Sequence, residues 1–368
     1  MMALNGDNAL AVGALISSED LGERVAAILA DAGMQEEDAA RMSALLVFAQ
    51  ESGIDSHGIA HLPSYVSGIA SGSLKARPAM RMEGIFRAAA VLDADCAPGV
   101  LAGLQACDEA VVRARQCGAA IIAVRNSAHF GAASAFAEYL ASQGMVGLIL
   151  SNASATVAPR GAKTPLFGTN PIAAGFPDPN GSPLLIDFAT TAGSRGRIRK
   201  AAVDGTAIPL DWALDKNGLP TSDAKVALTG TMQALGGEKG TILPLLVELL
   251  CVALSGGHPG SEVLVPQEGS NRPRGVSHLF VAMDARAFGG VEAVGSRISL
   301  ISALIENTIP VDANHPPRMP GARGAALRQK ARREGIRLSS TVVAALLEAR
   351  NSVDQMKKSV SPEEEFPK

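Results

Sequence analysis

Residues 87–127 read RAAAVLDADCAPGVLAGLQACDEAVVRARQCGAAIIAVRNS, and their pattern decides the fold class. Two apolar runs, 87–95 and 119–127, have the length and punctuation of strands. Between them, 101–116 carries apolar residues at helical spacing. Strand, helix and strand in succession predict a mixed sheet clad with helices. No GxGxxG follows any expected strand and no GxxxxGK[ST] occurs, so an ordinary Rossmann site or P-loop is unsupported.

The same texture continues downstream, with a helix expected over ASAFAEYLASQG (133–144) and a strand over VGLILSN (146–152). Upstream, Ser17-Ser18-Glu19-Asp20 offers a polar cap and an acidic first turn for a helix that runs to Gly33. Glu36-Glu37-Asp38 opens a second helix, with Met42, Leu45, Leu46 and Phe48 on its buried side and Gly53 as its stop. From 153 to 230 the chain is rich in Gly, Pro, Thr and Asp and reads as short strands, near 171–176 and 183–189, joined by loops. An apolar helix over TILPLLVELLCVALS (241–255) precedes a strand over HLFVAMDA (278–285) and helices near 291–307, 322–334 and 339–356. The expected class is α+β. It comprises a mixed α/β domain over 76–299, a helical domain from 1–75 with 300–350, and a frayed tail at 357–368.

A length of 368 residues favours two domains over one core. With 47% hydrophobic and 19% charged residues, the composition is that of a globular protein and not a disordered one. A net charge of −3 and 4% aromatics leave no basic, aromatic-lined surface, so no nucleic-acid partner is expected. The four cysteines form no CxxC pair and no zinc-type cluster. The opening residues lack the basic n-region of a secretory signal. The 241–255 run is too short for a bilayer and is interrupted by Pro244 and Glu248. A cytoplasmic location without a membrane partner is the expectation.

The chemistry is concentrated in ESGIDSHGIAHLPSYV (51–66), where His57 and His61 lie four apart and Tyr65 follows four later. A zinc-protease reading needs Glu after the first histidine, but Gly58 stands there, so no metal is expected. A histidine in a polar Asp-Ser-His-Gly turn suits proton transfer, and it equally suits a structural place in a helix-joining loop. His129, in NSAHFG (126–131), sits just past an expected strand, where α/β sites gather residues. Asp187, in LLIDFATT, follows an apolar run where a carboxylate needs a partner, and a histidine would serve. GGEKG (236–240) precedes the apolar helix, and SRGRIRK (194–200) carries four cations. Each suits a phosphate, though either also reads as a turn or a solvated face.

DSHGI (55–59), NSAHFG (126–131), LFGTNPIAAGFP (166–177), IDFATT (186–191), GLPTSDAKVAL (218–228), GGEKGTILPLLVELLCVALSGG (236–257) and the tail MPGARGAALRQKARREGIRL (319–338) together resemble the type 2 malate/L-lactate dehydrogenase family. The likeness spans nearly the whole chain, with the motifs in family order. It implies an NADPH- or NADH-dependent oxidoreductase on a non-Rossmann sheet domain. The implied substrates are small 2-oxo or cyclic 2-imino acids, and the implied assembly is a homodimer. Within the family, HLPSYVSGIASGSL (61–74) and KTPLFGTNPIA (163–173) look most like reductases of Δ1-piperideine-2-carboxylate and Δ1-pyrroline-2-carboxylate.

Residue by residue, the resemblance implies that His57 is the proton donor, that Asp187 orients it, and that His129 lies by the nicotinamide. It puts Ser56, His61 and Tyr65 on the substrate side. Ser151 and Asn152, the turn Gly168-Thr169-Asn170, Lys239 and Gly240 fall on the cofactor side. Arg195, from the cationic run itself, is expected to offer charge to a cofactor 2′-phosphate and so favours NADPH. Two departures stand out. His61 occupies a position where the family commonly has an arginine, a fork suited to a substrate carboxylate. Glu238 puts a negative charge inside the phosphate-side turn. A 2-hydroxy acid dehydrogenase of the malate, lactate or sulfolactate type is one alternative. A catalytically silent dinucleotide-binding relative and a metal-dependent hydrolase are the others.

Overall fold

The computed structural model describes residues 11–179, 182–265 and 270–360. The chain begins with β1 (Leu15–Ile16), α1 (Ser18–Asp31), α2 (Glu36–Glu51) and α3 (Leu62–Ser71). The mixed region contains β2 (Arg81–Glu83), β3 (Ala89–Asp93), α4 (Gly99–Cys117), β4 (Ala119–Ser127), α5 (Ala133–Ser142) and β5 (Met145–Ser151). It continues through β6 (Ile172–Phe176), β7 (Leu184–Phe188), α6 (Arg195–Asp204), β8 (Ala213–Leu214), α7 (Ala224–Leu228) and β9 (Thr231–Met232). After α8 (Gly237–Gly240), α9 (Ile242–Ser255), β10 (Val276–Asp284) and α10 (Gly290–Glu306), the chain closes with α11 (Ala322–Glu334), β11 (Ile336–Arg337) and α12 (Ser340–Val360). Helix α12 therefore includes 357–360 of the segment expected to fray, and 361–368 lie outside the described residues.

Two compact units result. One holds residues 11–78 with 270–272 and 323–360, and the other holds 79–265 with 273–322. In the helical unit, Ser17 caps α1 by accepting the Asp20 N–H at 2.9 Å, and Glu19 and Asp20 face the positive end of the helix dipole. Leu21 and Leu29 of α1, Met42 and Leu46 of α2, Leu62 and Val66 of α3 and Leu346 and Val353 of α12 are buried. The two-residue strands β1 and β11 pair antiparallel, joining segments over three hundred residues apart. That seam was not foreseen, because a two-residue strand carries no periodicity to read.

The other unit is a mixed α/β structure around a seven-stranded sheet of order β2-β3-β4-β10-β5-β6-β7. Of its neighbouring pairs, β3 with β4 is parallel and the rest are antiparallel. The central strand β10 is apolar almost throughout because both its faces are covered. On one face Phe280 meets Phe136 of α5 edge-on at 5.4 Å, beside α4. On the other, Val247 and Cys251 of α9 pack on Ala123, Leu150 and Leu279. Burial of a side chain such as Phe280 is worth about 1.5–3 kcal/mol.

Helices α6 and α7 occupy a stretch read as strands and loops. The cationic run SRGRIRK has no apolar period, yet the Ser194 hydroxyl accepts the Arg197 N–H and starts α6. Ile198 then anchors it in a small core with Val157, Phe167, Ile208 and Met232, so tertiary packing overrides a polar local sequence.

Candidate active site

In the helical unit, the chain leaves α2 and makes two 3-10 turns, Asp55–His57 and Ile59–His61, before Leu62 and Pro63 open α3. The Gln50 side-chain amide donates to Asp55 at 2.7 Å and holds the first turn to α2. The Ser56 hydroxyl lies 2.8 Å from His57 Nδ1, and the His57 and His61 rings are 6.1 Å apart between centroids. His57 is half-buried, and desolvation pulls its pKa below that of a free imidazole. His61 is half-buried, Ser56 is exposed, and Tyr65 is buried on α3.

In the mixed unit, the parallel pair ends at Asp93 and Arg125, and the carboxyl ends of such strands are where α/β proteins place ligands. Arg125 binds Asp93 at 3.1 Å and Glu83 at 2.9 Å, and the Asn126 amide donates to Asp93. Burial opposes the Asp93 charge, but these donors prevail and hold its pKa below the usual carboxylate range. His129 follows β4 and is half-buried. A Cβ on Gly99 would come within 2.1 Å of the Ala128 carbonyl, so only glycine lets α4 start against this loop.

Asp187 lies on β7, opposite Ala173 of β6. Its carboxylate accepts the Ser134 N–H at 2.9 Å. The N-cap of α5 is Ala132, which has no capping side chain, so a strand carboxylate supplies the missing cap. Desolvation pushes the Asp187 pKa up, and Ser134 works against that shift.

The expected cofactor-side residues have mixed fates. Ser151, Asn152 and Asn170 are buried, and their side chains bind within the protein. Asn152 donates to the His258 carbonyl at 2.9 Å and accepts the Ser277 N–H at 2.8 Å. Asn170 donates to Glu248 at 2.8 Å and to the Pro244 carbonyl at 2.9 Å. Its own Oδ1, like the Ser277 hydroxyl, is buried without a partner among the described residues. Gly168 passes so close to Ala153 that a Cβ would sit 2.5 Å from that carbonyl. Thr169 accepts two hydrogen bonds from Thr190, whose own carbonyl accepts the Leu235 N–H just before the GGEKG turn. That turn forms α8, with Lys239 exposed and Gly240 buried. Glu238 pairs with Arg160 at 2.6 Å. Arg195 is half-buried at the start of α6, where desolvation and then Arg199 disfavour its charge.

Two residues of this region were given no site role in the sequence reading. His278, fully buried on β10, has Ser151 Oγ 2.8 Å from Nδ1 and Ser127 Oγ 2.9 Å from Nε2. Its ring stacks on Phe130 at 4.6 Å, next in sequence to His129, and burial drives its pKa down to about 3. The second is Glu248, a lone buried acid in an apolar helix. An ionisable group amid an apolar run was the available signal in both cases. Strain gathers here too. The non-glycine residues with left-handed φ among the described ones are Asp95, Cys96, Asn126 and Asn170. Also among the described residues, no group of three His, Cys, Asp or Glu is arranged to hold a metal, and no helix is long and apolar enough to cross a membrane.

The chain is similar to several known dehydrogenases and reductases. A (2R)-3-sulfolactate dehydrogenase (NADP(+)) from Chromohalobacter salexigens is 34% identical over 333 residues, covering 89% of this chain and 96% of that protein. A Δ1-pyrroline-2-carboxylate/Δ1-piperideine-2-carboxylate reductase from Pseudomonas aeruginosa is 33% identical over 313 residues, covering 82% of this chain and 89% of the relative. Among solved structures, the sulfolactate dehydrogenase of Methanocaldococcus jannaschii superposes with a TM-score of 0.84 at 29% identity, covering 92% of this chain and 97% of the other. The Δ1-piperideine-2-carboxylate reductase of Pseudomonas syringae pvar. tomato gives 0.80 at 29% identity, covering 92% and 99%. The sequence model of the malate/L-lactate dehydrogenase family matches residues 16–347, and the chain belongs to that family.

Proposed function

We propose that this family member is an oxidoreductase that uses NADPH or NADH to reduce a small cyclic 2-imino acid of the Δ1-piperideine-2-carboxylate or Δ1-pyrroline-2-carboxylate type. The supporting observation is the environment of His57, a half-buried imidazole whose protonated form is disfavoured and whose Nδ1 is met by Ser56. A 2-oxo acid needs a proton at its oxygen as reduction proceeds, so it needs an imidazolium. A cyclic imino acid brings its proton on the ring nitrogen of the reactive iminium form, so a neutral imidazole that orients it suffices.

The residues suit a dinucleotide. Desolvation and the neighbouring Arg199 disfavour the Arg195 charge, which an anion would restore, Lys239 is exposed for phosphate, and Asn170 Oδ1 and the Ser277 hydroxyl are buried without partners among the described residues. When bound, a reduced nicotinamide supplies the hydride. In this reading Asp187 orients His57, His129 lies by the nicotinamide, and Ser56, His61 and Tyr65 shape the substrate side. Gly168, Thr169 and Asn170 line the cofactor with Ser151 and Asn152, and Lys239 and Gly240 hold its phosphate end. The mixed sheet would bind the cofactor without a Rossmann fingerprint, and the helices of both chain ends would serve substrate and dimerisation. Exposed Ile242, Leu245, Leu246 and Leu249 on α9, with Leu300, Ile301 and Leu304 on α10, supply apolar surface for a second copy. Four free cysteines suit a reducing cytoplasm.

Reduction of a 2-oxo acid is the second reading, favoured by the equal similarity to the sulfolactate enzyme. The test is a thermal shift with NADPH and with NADH, followed by loss of reduced-nicotinamide absorbance with a panel of 2-imino and 2-oxo acids. Stabilisation by one dinucleotide and fastest turnover of a cyclic imine are expected. Turnover of oxo acids alone would replace the first reading with the second, and binding without turnover would indicate a silent relative.

A further inference from the structure

Glu248 is buried in the middle of α9, the helix that follows the Lys239-Gly240 turn. A buried carboxylate is costly unless hydrogen-bond donors surround it. Three N–H groups do so here. The Gly260 N–H reaches Oε1 at 2.5 Å, the Asn152 amide approaches the same oxygen at 3.5 Å, and the Asn170 amide reaches Oε2 at 2.8 Å. Asn170 is held at a φ of 34°, a strained value for a side-chain-bearing residue. The segments brought together are the Ser151-Asn152 loop, the Gly168–Asn170 turn and the helix behind Lys239.

We propose that Glu248 is a positioning residue: one carboxylate that fixes these three dinucleotide-binding segments relative to each other. The inference rests on the dinucleotide reading above and assigns Glu248 no contact with substrate or cofactor. A carboxylate is needed because all three neighbours are donors. Glutamine would keep the shape but turn an N–H2 towards at least one of them.

The test uses the full-length protein and compares wild type with Glu248→Gln. The expected result is a KM and a Kd for NADPH or NADH raised tenfold or more, with kcat per active molecule within about threefold of wild type. A KM and Kd unchanged within twofold would overturn the proposal, even if the melting temperature fell, since that pattern marks a purely structural carboxylate. If Glu248→Gln does not fold, Glu248→Asp keeps the charge and draws it back from the Asn170 amide and the Gly260 N–H. The same rise in KM is expected there, and its absence is equally fatal. Wild-type protein that binds neither dinucleotide would sink the functional reading and this inference with it. Normal wild-type binding with unaltered variants sinks only the role of Glu248.

Discussion

His57 and His278 are the same side chain in two settings. His57 stands on a short 3-10 turn, half-buried, with the hydroxyl of the adjacent Ser56 at Nδ1. His278 lies in the central strand, walled in by Phe130 and bonded at both nitrogens to serines of the two flanking strands. Burial disfavours the charge of each, but the outcomes differ. A fully enclosed ring bonded to both flanking strands is a strut. A half-buried ring on a turn keeps the access that proton exchange requires. Access, more than the direction of a pKa shift, distinguishes the two histidines.

The contrast is open to direct attack, and the largest expected effect is on turnover. His57→Ala should lower kcat by about a hundredfold to ten-thousandfold with a 2-oxo acid, the usual worth of a general acid, and by less with a cyclic imine, while dinucleotide titration stays near wild type. Equal loss of turnover and dinucleotide binding would instead mark His57 as structural. Next comes His278→Ala, which empties a packed site and takes a partner from the Ser127 and Ser151 hydroxyls, the latter keeping its bond to the Asn152 carbonyl. Its cost should be about 2–5 kcal/mol, read from the urea midpoint. A midpoint within about 0.5 kcal/mol of wild type would show that the strut carries no weight.

Acid should then reproduce part of that loss. His278 drops from an ordinary 6.5 to about 3 in the fold, so its stabilising contribution is complete above 6.5 and drains away as pH falls towards 3. The slope is about 1.4 kcal/mol per pH unit inside that window, and urea midpoints for wild type against His278→Gln between pH 7 and 5 will measure it. Parallel curves for the two proteins would rule it out. The smallest effect belongs to His61→Ala. Admitting water beside His57 should move the pH profile of 2-oxo acid reduction upward by less than about one unit, and a downward move would contradict the desolvation account.

Much of the fold could be read in the chain because its core segments announce themselves. AAIIAVRNS gave β4 to the residue, and the apolar run after GGEKG gave α9 within one position. Elsewhere local pattern and tertiary packing disagree. Helix α6 is cationic and held by one buried isoleucine, and β1 with β11 exists only through pairing between distant segments. The candidate site divides in the same way. Family likeness pointed to Asn152 and Asn170, but no sequence pattern says that their amides are spent inside the protein on His258, Pro244 and Glu248. Nor does strand periodicity, which assigns a face, tell what a histidine meets there.

The four left-handed corners at Asp95, Cys96, Asn126 and Asn170 carry a consequence for anyone trying to harden this protein. Glycine would relax each corner, and a stability screen would be drawn to it. At Asp95, Asn126 and Asn170, however, the side chain also tethers the bend, to the Ala79 N–H, to Asp93 and to Glu248. Easing the backbone there trades a tense, well-aimed loop for a comfortable wandering one. Selection for heat resistance and selection for turnover should therefore part company at these positions before they do anywhere in the core.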